Sequence, residues 1–314
     1  MQGAGRWWRV ASIAPLALLA TAAMAQVPRP PKPVAYVRAD TAALHRRLDS
    51  LSDAHHGVVG YAVVTLETGE RISRRGDEPF PTASLIKVPI AVALMEQVSL
   101  GQISLDDRIT VLRIEKVPGA GLLQHLHDGA EITIRDAAWL MLTISDNTAT
   151  NLLLSRLEMR RVWEAMEKRG LPRTKIHSKV FLRLASVAPD SSVKYGLGVS
   201  TPHEMARLFA LLADSKAVSA AADSVLLDML DHNEDGQLLQ RYVDGVRAPH
   251  KTGATDAVRT ECTVWFLQSR VVACVFTREN LDQRWVIDSE PQRTMAEIGR
   301  AVLAAWPRAA APAP

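Results

Sequence analysis

Cysteine is nearly absent from this chain: of 314 residues only Cys262 and Cys274 carry a thiol. Two cysteines cannot build a disulfide framework, and their spacing is not that of metal ligands. Charge of one sign is also scarce. The formal net charge is +3, and Arg6 and Arg9 near the N-terminus supply two of those charges, so the remainder carries about +1. That is far from the basic excess of a nucleic-acid-binding chain. Beyond residue 25 no apolar run approaches the roughly 20 residues that a membrane-spanning helix needs. The composition, 47% apolar and 23% charged, is that of a folded chain with a substantial core, in one large domain or two interlocked ones.

The N-terminal end has its own pattern. Arg6 and Arg9 precede an apolar stretch from Val10 to Ala23, and Ala23-Met24-Ala25 offers a small-x-small cleavage site. Residues 1–25 therefore read as an export signal; an uncleaved membrane anchor is the competing reading, disfavoured by the short apolar run. No cysteine follows the cleavage point, which argues against a lipid anchor. Residues 26–38 hold Pro28, Pro30, Pro31 and Pro33 and read as an extended linker. The expectation is an exported protein, periplasmic or secreted, with no stable membrane insertion and a monomeric state. Export makes a Cys262–Cys274 disulfide chemically possible. Whether the two face each other depends on a hairpin register that the sequence leaves open.

Along the chain, Asp40 is positioned to cap a helix with Leu44, Leu48 and Leu51 on one face. Gly57 to Leu66 reads as a strand, and Glu67 to Glu70 as the turn of a hairpin returning through Arg71 to Arg75. From Ala83 to about Leu212 the pattern is mostly helical. Thr133 with Asp136, and Thr201-Pro202 with Glu204, have the form of capping boxes, which gives Glu204 a structural task. Lys179 to Gly198 lacks periodicity and reads as a long irregular loop. Strands resume near Val246 to Lys251, Cys262 to Leu267 and Val271 to Thr277, before a last helix over about Glu290 to Trp306. The fold class expected is α/β: an antiparallel sheet flanked by helices, with an inserted all-α lobe. The catalytic domain should span 39–306, its α/β part about 39–80 and 216–306 and its all-α part about 81–215, with 307–314 a disordered tail.

Ser84 and Lys87 stand three apart where the pattern predicts the start of a helix, so their side chains share a face. A serine hydroxyl becomes a nucleophile when a base takes its proton, and a lysine can do so if burial or nearby cations lower its pKa. Ser191-Ser192-Val193-Lys194 has the same spacing, so spacing alone is weak and this second copy reads as a chance match. Ser84-Leu85-Ile86-Lys87 is followed, however, by Ser145-Asp146-Asn147 and then Lys251-Thr252-Gly253.

That ordered set resembles the three motifs of serine β-lactamases and penicillin-binding proteins. The separations, 61 positions from Ser84 to Ser145 and 106 from Ser145 to Lys251, resemble those of class A β-lactamases, as do Leu122 to Gly129 and Leu140 to Leu153. The resemblance covers about Asp40 to Ala304. It implies a serine β-lactamase-like fold and an acyl-enzyme on Ser84, with Lys87 as base or proton relay. Ser145 would pass a proton to the leaving nitrogen, and Asn147 would bond the substrate amide and steady Lys87. Lys251 and Thr252 would bind the substrate carboxylate, and the backbone N–H groups of Ser84 and Ala254 would form the oxyanion hole. Arg259 lies near a family carboxylate-binding arginine, one residue short in spacing; a surface salt bridge is the alternative.

One departure stands out. The family uses a loop glutamate to activate the water that hydrolyses the acyl-enzyme. Counting back from Thr201-Pro202 reaches Ala185, where there is neither a carboxylate nor the Leu-Asn pair that follows it in the family. Asp190 is the one acidic residue of the loop, about five positions late; it is either a shifted base or a solvated loop residue. Losing a positioned base typically costs a factor of about 10² to 10⁴. Acylation should therefore be efficient and deacylation slow. The expected ligand is a β-lactam or a D-alanyl-peptide-like small molecule, with no cofactor and no metal. The alternatives are a D-alanyl peptidase or esterase, or a β-lactam-binding protein with little turnover. His125-Leu126-His127-Asp128 has a superficially zinc-like look but lacks further ligands at suitable spacing. The paired His55-His56 reads as surface, and Trp139, Met141 and Leu142 read as core.

Overall fold

The computed structural model describes residues 36–308. The expected export signal, residues 26–35 of the linker and residues 309–314 of the tail lie outside the described residues. Asp40 caps α1 (Thr41–Asp53) by accepting the Ala43 N–H at 2.9 Å, and Leu44 and Leu48 are buried from it. β1 (Val58–Thr65) and β2 (Arg71–Arg74) form the expected hairpin, and β3 (Phe80–Pro81) follows. A 3-10 turn (Ala83–Ile86) then runs straight into α2 (Lys87–Ser99). A two-stranded ladder of β4 (Arg108–Val111) and β5 (Ala130–Thr133) leads to α3 (Ile134–Thr143), α4 (Asn147–Leu157) and α5 (Met159–Lys168).

Next come β6 (Lys175–Ile176), α6 (Pro189–Tyr195), β7 (Gly198–Ser200), α7 (Pro202–Ala213) and α8 (Ala220–Asp231). The chain returns to the sheet through β8 (His250–Thr255), β9 (Val258–Phe266) and β10 (Arg270–Arg278), and α9 (Glu290–Ala305) follows. The main sheet has the order β2-β1-β10-β9-β8, antiparallel throughout, so early and late strands meet at the β1–β10 pair. This is the α/β class expected.

Alternation along the strands sorts the core into two layers. On β10, Val272, Cys274 and Phe276 face a core shared with α2 to α5, α7 and α8, whereas Val271, Ala273 and Val275 face α1 and α9. Each such aliphatic or aromatic side chain contributes roughly 1.5–3 kcal/mol on burial. Leu226 and Leu230 of α8 belong to the helical-side core, so the helical layer continues past residue 215. The register left open by the sequence places Cys262 directly opposite Cys274, with Cα atoms 4.1 Å apart, and the two form a disulfide.

Three further expectations need adjustment. β8 begins at His250 rather than Val246, because Pro249 has no N–H to give to a ladder. Thr133 and Asp136, by contrast, form the full capping box expected of them. At α7, Thr201 accepts the Glu204 N–H at 3.1 Å, but the Glu204 carboxylate turns instead to Arg173 N at 3.0 Å and Thr174 Oγ1 at 2.7 Å. Lys179 to Gly198 is not wholly irregular: it contains a 3-10 turn (Arg183–Ala185) and α6, whose seven residues are too few to show a period. Among the described residues no helix is long and apolar enough to cross a membrane.

Candidate active site

The nucleophile candidate sits on a strained corner. Ala83, immediately before Ser84, has φ +46°, and Ser145 has φ +59°. Neither is glycine, and the left-handed region costs such residues roughly 1–2 kcal/mol each. Two of the three motifs are thus held in conformations that surrounding contacts must enforce.

For the first motif the contact is β8. A side chain at Gly253 would place its Cβ 2.5 Å from Thr82 O and 2.8 Å from Leu85 N. Only glycine lets the strand carrying Lys251 and Ala254 press against the turn carrying Ser84. For the second motif the contact is Asp146. Its Oδ1 caps α4 through Ala149 N at 2.8 Å, and its Oδ2 accepts Leu122 N at 2.6 Å and Leu123 N at 2.9 Å. Gly121, at φ +110°, packs where a Cβ would lie 2.2 Å from Asp146 Cγ. The middle residue of Ser-Asp-Asn is therefore a structural clamp.

Lys87 opens α2 and is fully buried. Its Nζ lies 2.6 Å from Ser145 O, 3.1 Å from Ser145 Oγ and 2.9 Å from Asn147 Oδ1. Burial first, and then the charge of Lys251, push its pKa well below the ordinary lysine value, against the opposing pull of Asp146. The three contacts suit a neutral amine, which can donate to the two carbonyl oxygens and accept from the Ser145 hydroxyl. Asn147 also donates from Nδ2 to Pro118 O at 3.1 Å, which fixes its amide.

Ser84, Ser145, Asn147, Lys251, Thr252 and Ala254 line one cavity of about 770 Å³. Among the described residues the Ser84 hydroxyl has no hydrogen-bond partner and is half-buried at this wall. Lys251 is fully buried, donates to Thr252 O at 2.9 Å, and is pushed down to about 8 by burial despite the nearby Asp235 and Glu261 carboxylates. Behind it, Glu261 is also fully buried, and burial pushes its carboxyl up to about 8. Glu261 accepts Leu239 N at 2.6 Å and Gln240 Nε2 at 2.9 Å, tying the 238–240 segment to β9.

Two candidates lie elsewhere. Arg259 is only 2% exposed and donates to Val258 O at 2.8 Å, to Thr255 O, and to Arg284 O at 3.5 Å. Its guanidinium carbon stacks 4.6 Å from the centre of the Trp285 ring. It lines an adjoining recess of about 300 Å³ rather than the main cavity. Among the described residues it pairs with no carboxylate, so it is not the surface salt bridge either. Asp190 stands exposed in the first turn of α6 and does not line the cavity. The second Ser-x-x-Lys copy is on the same helix, with Ser192 buried and Lys194 lying over the Tyr195 ring.

From this loop Phe181 lines the cavity. Just before it, the buried Asn151 side chain of α4 holds the Val180 backbone, donating to its carbonyl at 3.2 Å and accepting its N–H at 2.8 Å. The sequence reading also missed Asp235, which accepts the Thr252 hydroxyl at 2.8 Å, and Trp285, whose Nε1 donates to Asp256 at 2.8 Å. Asp235 lies in Asn233-Glu234-Asp235-Gly236, a string that reads only as a turn. Nothing in it points 16 residues ahead to Lys251.

Known proteins align with this geometry. Beta-lactamase L2 of Stenotrophomonas maltophilia is 28% identical over 228 residues, 69% of this chain and 71% of that protein. The crystal structure of a beta-lactamase from Sphaerobacter thermophilus superposes with a TM-score of 0.75 at 29% identity, covering 85% of this chain and 97% of that one. An acyl-enzyme complex of a PBP-A variant with penicillin G superposes with a TM-score of 0.74 at 26% identity, covering 84% and 96%. Other curated relatives, including a beta-lactamase regulatory protein of Streptomyces cacaoi, are matched over only 33–41% of their own length. The family model described as the beta-lactamase enzyme family matches residues 43–306. With that match over most of its length, the chain belongs to the beta-lactamase enzyme family.

Proposed function

We propose that this protein is a serine hydrolase of the class A type that forms an acyl-enzyme with β-lactams and releases it slowly. The observation that carries this is the buried Lys87 amine, bonded to Ser145 and Asn147, in the wall that presents Ser84 to the cavity. Ser84 Oγ attacks the lactam carbonyl and loses its proton to the Lys87–Ser145 pair. The amide C–N bond breaks as Ser145 returns a proton to the nitrogen. A depressed lysine pKa supplies the free base that this needs near neutral pH. Negative charge developing on the carbonyl oxygen is met by the backbone N–H groups of Ser84 and Ala254, beside the start of α2.

Slow release follows from the lining. Its carboxylates, Glu234, Asp235 and Asp256, come from the 233–237 turn and the β8–β9 turn; among the described side chains of residues 177–197, Phe181 is the one in the lining. Asp235 and Asp256 are already engaged by Thr252 and Trp285. A D-alanyl peptidase or esterase keeps the same nucleophile; the carboxylate bonded to Thr252 favours an ester without a carboxylate on its leaving group. The leader pattern and the Cys262–Cys274 disulfide support action outside the cytoplasm. The test is intact mass after mixing with a penicillin, followed over minutes alongside hydrolysis of a chromogenic cephalosporin. A persisting Ser84 adduct with low turnover is expected; fast hydrolysis with no adduct overturns slow release.

A further inference from the structure

Trp285 is 65% exposed, yet the segment that carries it, between β10 and α9, is fastened on both sides. Before it, Leu281 N donates to His56 O at 3.0 Å, and Asp282 accepts from Arg284 Nη2 at 2.7 Å and from Glu290 N at 2.8 Å. After it, Ile287 O accepts from Arg241 Nη1 at 2.9 Å, and Val286 O from Ser289 N at 3.0 Å. Leu281, Val286 and Ile287 of the same segment are exposed as well. Such a cluster of apolar side chains, left in water on a fixed backbone, has the character of a binding surface.

The indole ring has one face taken and one face free. The Arg259 guanidinium covers the first, 4.6 Å from the ring centre, and Nε1 donates to Asp256 Oδ1 at 2.8 Å, which fixes the ring's rotation. Trp285 lines both the recess of Arg259 and the main cavity, whereas Arg259 lines the recess alone. The ring is therefore the partition between the two, and its second face looks into the cavity. Among the described residues no other cation or aromatic ring stacks on it. The recess and the cavity also share Asp235 and Ala254, and Asp235 is bonded to Thr252. The free face thus stands beside the Lys251-Thr252 end of the site.

A β-lactam whose carboxylate is held at that end brings the substituent next to the carboxylate up to the indole. A flat ring there can stack in the offset manner that aromatic pairs prefer, and each surface removes the other from water. Because the indole is already fixed, little ordering is left to oppose binding. Lys251 keeps its carboxylate partner, and the platform itself asks for no charge. We propose that Trp285 is a specificity-determining residue, its free face a stacking platform for an aromatic substituent beside the substrate carboxylate. This rests on the serine acyl-transfer reading above.

Three cephalosporins with one acyl side chain test it, carrying a benzyl, cyclohexylmethyl or methyl group on the ring carbon next to the carboxylate-bearing one. All three groups are neutral, so Lys251 and the carboxylates of the wall act on them alike. Intact mass after rapid quenching, over a range of concentrations, separates the dissociation constant of the non-covalent complex from the acylation rate constant. The wild-type protein should bind the benzyl compound about 10-fold more tightly than the methyl one and about 3-fold more tightly than the cyclohexylmethyl one. Trp285→Leu should bring benzyl and cyclohexylmethyl within about 2-fold of each other. Trp285→Phe, which keeps an aromatic face and gives up the Asp256 bond, should retain a preference for benzyl. Equal wild-type binding of benzyl and cyclohexylmethyl, a comparison that needs no variant, overturns the platform. So does a benzyl preference that Trp285→Leu leaves unchanged, while the methyl compound still reports an intact Ser84. Failure of all three compounds to acylate the wild-type protein overturns the acyl-transfer reading itself.

Discussion

Two walls of one cavity are built on different terms. The wall of attack is assembled from the starts of α2 and α4 and from β8, and its groups are fixed several times over. Lys87 has three partners, Asp146 has three, and Gly253 lets two backbones touch. The wall formed by residues 177–197 is tied to the helical lobe through adjacent residues at its start, Lys179 bonding Glu115 and Ser155 and Val180 gripped by Asn151. It offers an aromatic ring where hydrolysis would need a base. On the reading proposed above, the contrast separates the two halves of an acyl-transfer reaction, the first set by groups fixed in the fold and the second by a separate segment.

The largest expected effect breaks the first wall. Ser84→Ala should abolish adduct formation, with a loss of at least about 10³-fold in single-turnover acylation; appreciable residual acylation removes Ser84 as the nucleophile. Next, Phe181→Glu puts a carboxylate into the second wall and should speed loss of the adduct about 10-fold or more, followed by intact mass. An unchanged adduct lifetime would mean that position 181 does not address the ester. Asn151→Ala leaves the Val180 amide groups without their partners and should cost about 1–3 kcal/mol in urea denaturation. Acylation by the first wall should survive it; an equal loss of acylation would erase the distinction between the walls. The smallest effect is expected from Asp190→Asn, a change in deacylation within about 2-fold. A large loss would restore Asp190 as a base despite its place on α6.

Much of the first wall was legible because its chemistry is carried by short strings tied to element ends. Ser84 to Lys87 begins a helix, Asp146 caps one, and Gly253 has no side chain where two backbones meet. The sheet and its flanking helices were legible from alternation and caps, as at Asp40 and Thr133. The second wall was not, because its position depends on pairing between distant residues. Counting back from Thr201 led to Ala185 and gave no sign of the Asn151–Val180 bonds beside which Phe181 reaches the cavity. Asp235 was missed for the same reason: its partner Thr252 lies 17 residues away, across a turn whose path the sequence does not encode locally. The seven residues of α6 gave no periodic signal, and Arg259 was misjudged because neither spacing nor charge shows that Trp285 covers it.

The buried ionisable groups behind β8 have a consequence for proton linkage. Folded Glu261 keeps its proton up to about pH 8, whereas the unfolded chain releases it near 4.5. Stability therefore falls as pH rises across that interval. Folded Lys251 loses its proton from about pH 8, while the unfolded chain holds one until 10.5, so stability climbs again above pH 8. Lys87, depressed as well, contributes in the same rising sense from its own folded pKa upward. Urea midpoints measured from about pH 5 to 10 should pass through a trough ending near pH 8, and a monotonic curve would contradict the burial of these charges. The same few buried protons thus set both the charge state of the candidate site and the stability of the fold that encloses it.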